Sequence, residues 1–337
     1  MTRTAVLGGL GTWVPPRVVT NDMLAAELDT TDEWIRTRTG IERRHVASPG
    51  MSTGHLATEA ARRALKSAGT ERVDLVVVAT STPDRPCPAT APVVADALGL
   101  TGVGAFDVAA VCTGFVYGLA TAAGLIGTGV VDTALVVGAD TFSTILDPAD
   151  RTTRVIFGDG AGAAVLRAGE RTEDGALLGF DLGSDGRGVD LITVPAGGSE
   201  QRLAETGPAP SDVYFHMDGP QVFARAVRHM SGSVRAVLDR AGLAPDDLAH
   251  LVPHQANVRI LDTCARDLGL PAERVVKNID RVGNTVAASI PLALAAGATA
   301  GRFEAGQSVV LTGFGGGLTW GSALLTWPGS LVPITES

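Results

Sequence analysis

The chain has 337 residues, 45% hydrophobic and 19% charged, enough apolar material for two domains or one large α/β unit. A formal charge of −9 argues against nucleic acid or an anionic membrane as the main partner, so an acidic partner needs a local basic patch. The three cysteines, Cys87, Cys112 and Cys264, have no paired or metal-like spacing, which points to a reduced cytoplasm and no metal site.

Met1 leads straight into AVLGGLG, a strand-like run with no signal peptide ahead of it. Residues 57–69, ATEAARRALKSAG, carry apolar side chains at helical spacing and stop at a glycine. LVVVA, from Leu75, reads as a buried strand. The stretch FDVAAVCTGFVYGL, residues 106–119, begins strand-like and ends apolar at helical spacing, with Cys112 on the turn between. Unpaired N–H groups and the positive end of the helix dipole meet there. That setting favours thiolate over thiol and can lower a cysteine pKa from about 8.5 to roughly 3.5–7.5. It has the form of a nucleophile elbow with sulfur in place of oxygen. The competing reading is a small buried residue packing a sheet-to-helix junction.

Residues 108–131 carry no charge, a length that suits a membrane span. Their glycines and threonines, and their strand-like start, fit a buried central helix better. A second uncharged run, 282–301, has the same character. LVVGAD, from Leu135, reads as another strand, and GDGAGAAVL as a glycine-rich turn into the next. Residues 196–211 are polar and rich in glycine and proline, as in a surface excursion. Residues 219–242 form a long amphipathic helix with Val222, Phe223, Val227, Met230, Val234 and Leu238 on one side. His254 follows the apolar strand 248–252, and Asn284 stands at the mouth of the second uncharged run.

These elements repeat. LVVVA at Leu75 is echoed by LVPHQ at Leu251, Cys112 by Asn284, and LVVGAD at Leu135 by VVLTGF at Val309, at offsets of 176, 172 and 174. Near-constant spacing of this length means a duplicated domain. The halves are expected at 1–172 and 173–337, each with strands alternating with helices and mainly parallel sheets. Histidine after a strand is often structural, and asparagine after glycine is a routine helix cap. At matched ends of repeated elements, though, Cys112, His254 and Asn284 converge on one site.

FDVAAVCTGF, VPHQANVRI, RVGNTVAASIPLA and GFGGGLTWGSALL resemble β-ketoacyl-acyl-carrier-protein synthase III, of the thiolase superfamily. TDEWIRTRTGIERRH, DPADR and FGDGAGAAVL match the same family, and the resemblance runs from about Val6 to Trp327. It implies an α/β fold of five αβαβα layers built from two duplicated halves, usually a homodimer. It also implies decarboxylative Claisen condensation, initiating fatty-acid or polyketide chains. Cys112 would take the acyl group from an acyl-CoA, and His254 and Asn284 would donate hydrogen bonds to the thioester oxygen of malonyl-acyl-carrier protein. Backbone N–H groups of Cys112 and Gly316 would hold the oxyanion. Coenzyme A would meet Trp34, Arg38, Arg151, Gly219, Phe223 and Asn257, as a substrate and not a cofactor. Arg225, Arg228 and Arg259 would face the carrier protein, although the family's lysine near this patch is Ala224 here. The family's pocket phenylalanine, often supplied by the partner subunit, is Cys87 here, which frees volume for longer or branched primers.

Three other readings compete. Enzymes of the same fold move an acyl group from cysteine to an alcohol or amine without decarboxylation. A papain-like hydrolase shares the Cys, His, Asn order but lacks this duplication. A non-catalytic partner subunit usually lacks the cysteine.

Overall fold

Runs of β-branched residues set the strands, and the burial of each run shows how it is covered. β1 (Arg3–Trp13), β2 (Leu75–Ala79), β3 (Gly104–Val108), β4 (Thr133–Asp140) and β5 (Gly160–Glu170) share one sheet in the order β1-β5-β4-β2-β3. All of β2 is buried, as befits a strand covered on both faces. β6 (Leu177–Ser184), β7 (His250–Pro253), β8 (Ser308–Gly315) and β9 (Thr319–Thr326) form a second sheet in the order β7-β8-β9-β6. A short β10 (Ile334–Thr335) returns to run parallel to β1. The computed structural model describes residues 3–335.

The two sheets have the same plan. In the first, β1–β5 and β5–β4 are antiparallel, while β4–β2 and β2–β3 are parallel. In the second, β6–β9 and β9–β8 are antiparallel and β8–β7 is parallel. A parallel bridge from Leu251 to Val275 stands where a fifth strand would lie. Register fixes the repeat: Leu75 pairs with Ala134, and His250 with Val309, so both positions recur 175 residues on (75 to 250, 134 to 309). This corrects the offsets read from letters. Hydrogen-bond register defines equivalence, and it makes Ala287, not Asn284, the counterpart of Cys112.

The longer helices are α1 (Asp32–Thr39), α2 (Thr53–Ala68), α3 (Ala91–Ala97), α4 (Gly114–Gly127), α5 (Gly219–Ala241), α6 (Val258–Leu268) and α7 (Ser289–Thr299). α2 and α3 cover the outer face of the first sheet, where Leu56, Ala60 and Ala64 meet Val76, Val78 and Leu135. α4 and α7 fill the space between the sheets. There Phe115, Leu119, Ile290 and Leu294 pack with Val77 and Val136 on one side and Val309 and Leu311 on the other. On the outer face of the second sheet, Val234 and Leu238 of α5 and Leu268 of α6 meet Leu251, Val310 and Leu324. The result is five layers, helix-sheet-helix-sheet-helix.

Both uncharged runs hold the central helices: α7 is buried almost throughout, while α4 exposes only the uncharged Thr121, Gly124 and Gly127. Among the described residues no helix is long and apolar enough to cross a membrane. The long amphipathic helix starts at Gly219, capped by the Asp218 side chain accepting from Gln221 N–H, and stops at Gly242 with φ 71°. Residues 196–211 are mostly exposed, with one short helix at Ser199–Arg202.

Candidate active site

Cys112 sits in a 3-10 turn, Val111–Thr113, between β3 and α4. To make that turn, Val111 adopts φ 46°. A β-branched residue there costs about 1–3 kcal/mol and must be held by its surroundings. Thr113 holds it locally: its N–H donates to Ala110 O at 3.0 Å and its hydroxyl to the same carbonyl at 2.6 Å. On the far side lies the end of β8. A Cβ added at Gly315 would stand 2.8 Å from Cys112 N and 2.9 Å from its Cβ. Only bare backbone fits there, a requirement the glycine-rich motif announced without showing which glycine carried it. Gly316, the residue expected to hold the oxyanion, is the next one along.

The second half repeats the turn. Val286–Ala288 is also a 3-10 turn, and Val286 adopts φ 52°. Val111 and Val286 are 175 residues apart, the same offset as the strands. Asn284 lies two residues before this second strained valine. Its N–H donates to Ile156 O at 3.0 Å and its carbonyl accepts from Gly158 N–H at 3.0 Å, so the backbone is fixed on both sides. Its Oδ1 accepts from Val286 N–H at 3.0 Å, which leaves the Nδ2 hydrogens to point elsewhere. Asn284 is therefore tied to the elbow, while Ala288 is the cap residue of α7.

His254 follows β7, its N–H donating to Thr312 O at 2.7 Å. Gln255, fully buried, braces this corner: its Nε2 donates to Pro253 O at 2.7 Å and Val276 O at 3.2 Å, and its Oε1 accepts from Asn278 N–H. His254 is 1% exposed, and burial pushes its pKa down to about 3, so the imidazole is neutral. Its Nδ1 has no hydrogen-bond partner.

Cys112, His254 and Asn284 line one cavity of ≈ 40 Å³. Its remaining wall is apolar, with Phe142, Phe157 and Phe215 in mutual contact at ring-centroid distances of 4.6, 4.9 and 5.1 Å. This aromatic trio had no signal in the sequence, because Phe142 and Phe157 stand at opposite ends of the β4–β5 connection and Phe215 comes from the distant segment before α5. A wider surface groove of ≈ 810 Å³ at the ends of α2 and α3 shares none of these residues.

The electrostatics of Cys112 depart from expectation. The thiol is 8% exposed, and burial, with the Asp140 carboxylate adding to it, pushes its pKa well above the ordinary thiol value. The helix N-terminus pulls the other way. In a dry pocket with a carboxylate behind the sulfur, desolvation is the larger effect, so the resting group is a thiol.

The other expected site residues fall in three places. Trp34 of α1 has Arg38 and Arg151 over its ring, with guanidinium carbons 5.9 and 5.6 Å from the centroid. Asn257 caps α6 by accepting from Arg259 N–H at 2.9 Å and donates to Arg38 O at 2.9 Å, joining α6 to α1. Gly219 opens α5 with free space around it, and Phe223 packs one turn on with Val222 and Ile260, which also line the cavity. Arg225 is half-buried on α5, while Arg228 on α5 and Arg259 on α6 are exposed. Cys87 is exposed in the loop after β2 and does not line the cavity of its own chain, so any role it has there needs a second chain.

Residues 106–186 match the family model of 3-oxoacyl-[acyl-carrier-protein (ACP)] synthase III, and residues 238–327 match that of its C-terminal part. A β-ketoacyl-[acyl-carrier-protein] synthase III of Pseudomonas aeruginosa is 60% identical over 336 residues, covering 100% of both chains. The protein of Streptomyces coelicolor named synthase III 5 is 59% identical over 328 residues, 97% of this chain and 98% of its own. Among solved structures, the P. aeruginosa PAO1 protein titled FabH superposes with a TM-score of 0.92 at 59% identity, covering 98% of this chain and all of that one. The priming β-ketosynthase of the R1128 polyketide pathway does so with a TM-score of 0.90 at 35% identity, covering 98% of each chain.

The raised thiol pKa sets a pH dependence. Ionisation takes place only above the ordinary thiol range, so alkylation of Cys112 by iodoacetamide in the free protein should climb steadily from pH 6 to pH 10. Peptide mass spectrometry over time reads this directly. A rate that is already flat below pH 8 would mean a resting thiolate.

Proposed function

The chain belongs to the β-ketoacyl-[acyl-carrier-protein] synthase III family, whose activity is condensation of an acyl-CoA primer with malonyl-acyl-carrier protein, and we propose that Cys112, His254 and Asn284 carry that activity here. The observation that carries the reading is their convergence on one buried cavity from three separate elements.

In the first half-reaction Cys112 Sγ attacks the thioester carbonyl carbon of the acyl-CoA. The C–S bond to coenzyme A breaks, and the thiol proton of Cys112 ends on the departing CoA sulfur. The tetrahedral oxyanion faces the backbone N–H groups of Cys112 and Gly316. Bare backbone at Gly315 supports this, since a side chain there would block the Cys112 amide. Trp34, Arg38 and Arg151 receive the adenine and phosphate end of coenzyme A, and Gly219, Phe223 and Asn257 flank the path inward.

In the second half-reaction the malonyl thioester oxygen accepts hydrogen bonds from His254 and from Asn284 Nδ2. Breaking the bond to the carboxylate releases carbon dioxide and leaves an enolate. Its α-carbon attacks the acyl-Cys112 carbonyl, and the Cys112 sulfur leaves as a thiolate that takes up a proton from solvent to restore the resting thiol. The neutral imidazole and the tied amide oxygen both favour this role, because each group can offer an N–H to a developing oxyanion. Transfer to an alcohol or amine forms no enolate, so it does not call for two N–H donors at a malonyl thioester oxygen. Arg225, Arg228 and Arg259 would meet the acidic carrier protein.

We further propose a homodimer joined at β3, with 1–172 and 173–337 as the duplicated halves of each subunit. β3 ends its sheet with Phe106 and Val108 half-buried, an open edge that a second copy would pair. The exposed Cys87 loop would then reach the partner's acyl pocket.

Incubation with acetyl-CoA should place an acyl group on Cys112 alone, leaving Cys87 and Cys264 free. Asn284→Ala should leave that step largely intact and slow carbon dioxide release from malonyl carrier protein roughly a hundred- to a thousandfold, the effect of losing one oxyanion donor. Equal damage to both steps would make Asn284 structural.

Primer choice follows from the cavity wall. Phe215→Ala should shift kcat/KM towards longer primers, each buried methylene contributing about 0.8 kcal/mol. Cys87→Phe should shift it back towards acetyl, with overpacking of about 1–3 kcal/mol against longer chains. Competition between acyl-CoAs measures both, and an unchanged profile in Cys87→Phe would put that residue outside the pocket.

A further inference from the structure

Asp140, at the end of β4, is a fully buried carboxylate with no part in the chemistry described so far. Its Oδ1 accepts from Ser81 N–H at 2.7 Å, from the Thr82 hydroxyl at 3.2 Å and from the Thr80 hydroxyl at 3.3 Å, all just beyond β2. Its Oδ2 accepts from Ala287 N–H at 3.0 Å, in the second elbow. All four partners are neutral donors, three from the first half of the chain and one from the second.

The repeat gives this contact its meaning. Asp140 and Gly315 occupy the same place at the ends of equivalent strands, β4 and β8, 175 residues apart. Ala287 and Cys112 occupy the same place in equivalent elbows. At the first half's elbow a glycine of the second half leaves the amide open beside Cys112. At the second half's elbow a carboxylate of the first half closes on it.

The closed elbow is the one that carries Asn284. Val286, at φ 52°, is followed by the clamped Ala287 amide, and its own N–H holds Asn284 Oδ1. A β-branched residue in that conformation stays only while its neighbours over-determine it. Resting on the reading of Asn284 as an enolate donor, we propose that Asp140 is a positioning residue for the decarboxylative half-reaction: it clamps the second elbow to the ends of β2 and β4 and so aims Asn284 Nδ2.

The chemistry of the clamp requires a carboxylate. Ser81 N–H and Ala287 N–H are fixed donors on different oxygens, so each oxygen must accept. An asparagine would turn its NH₂ onto one of them. The effect is also one-sided. Burial pushes the Asp140 carboxyl itself up to about 7, and its charged form adds to raising the Cys112 thiol, so Asp140→Asn does not raise that thiol further.

Asp140→Asn matches the side chain in size and tests this. Acyl transfer from acetyl-CoA to Cys112 should be retained or faster, while condensation with malonyl carrier protein falls about tenfold or more, on the scale of a small misplacement of a reacting group. In Asp140→Asn combined with Asn284→Ala, condensation should be no slower than in Asn284→Ala alone. Equal loss in both half-reactions, or losses that multiply in the double variant, would overturn the proposal. If Asp140→Asn does not fold, Thr80→Val removes one hydroxyl donor and keeps both amides. It should show the same one-sided loss at smaller size, and an unchanged or evenly reduced pair of rates would count against the clamp. An Asn284→Ala that spares condensation removes the premise and the proposal together. A selective Asn284→Ala beside an unselective Asp140→Asn overturns the clamp alone.

Discussion

Backbone packed against backbone at Gly315 and Cys112 sets what the rest of the molecule has to supply. A strand end can approach a helix-opening amide this closely only if the chain turns sharply, and Val111 turns it by adopting φ 46°. Such a residue is stable only inside a rigid frame. The frame is the central layer, where α4 and α7 lie between two sheets and neither helix has a solvent face rich in charge. The strain at the elbow, the small residues of the central helices and the duplicated sheets are thus parts of one requirement. Cys112, the proposed nucleophile, sits at the seam between the two sheets, with its amide uncovered.

Burial at that seam governs the electrostatics. The cavity wall is apolar apart from Cys112, His254 and Asn284, so a charge formed there is poorly screened and each aimed N–H counts for more than in water. The same dryness holds both titratable groups neutral, raising the thiol and depressing the imidazole. A neutral histidine suits an oxyanion that forms and collapses within one turnover, because it offers a donor without creating a lasting ion pair. Charge then appears in the site only with the substrate.

Much of this was legible in the sequence, and the limits have physical causes. Helix ends were marked by glycines, Gly69 and Gly242, which the structure places in the left-handed region, whereas the Asp218 cap was not read. The uncharged runs announced central helices because a helix enclosed over most of its surface has little room for charge. Cys112, His254 and Asn284 stood out as polar groups in apolar contexts. The equivalence of positions did not, since hydrogen-bond register and not letter similarity pairs Leu75 with His250. Nor did the thiol's state, because the helix dipole can be read from a motif while desolvation depends on what folds over it. The aromatic wall was invisible for a related reason: Phe142 and Phe157 meet only when the β4–β5 connection folds back, and Phe215 joins them from the segment before α5.

The duplication shows how the two elbows come to differ. Each half has a strand end facing the other half's elbow, and both elbows have the strained valine that turns the chain. With cysteine on the elbow and glycine on the strand, the amide and the sulfur are both open to a substrate. With alanine on the elbow and aspartate on the strand, the amide is taken and no nucleophile is present. That second arrangement is not a vestige without consequence. A closed elbow is stiffer than an open one, because its strained residue is held from both sides, and the residue hydrogen-bonded to it is Asn284. An open amide suits a group that must react, and a closed one suits a group that must only point.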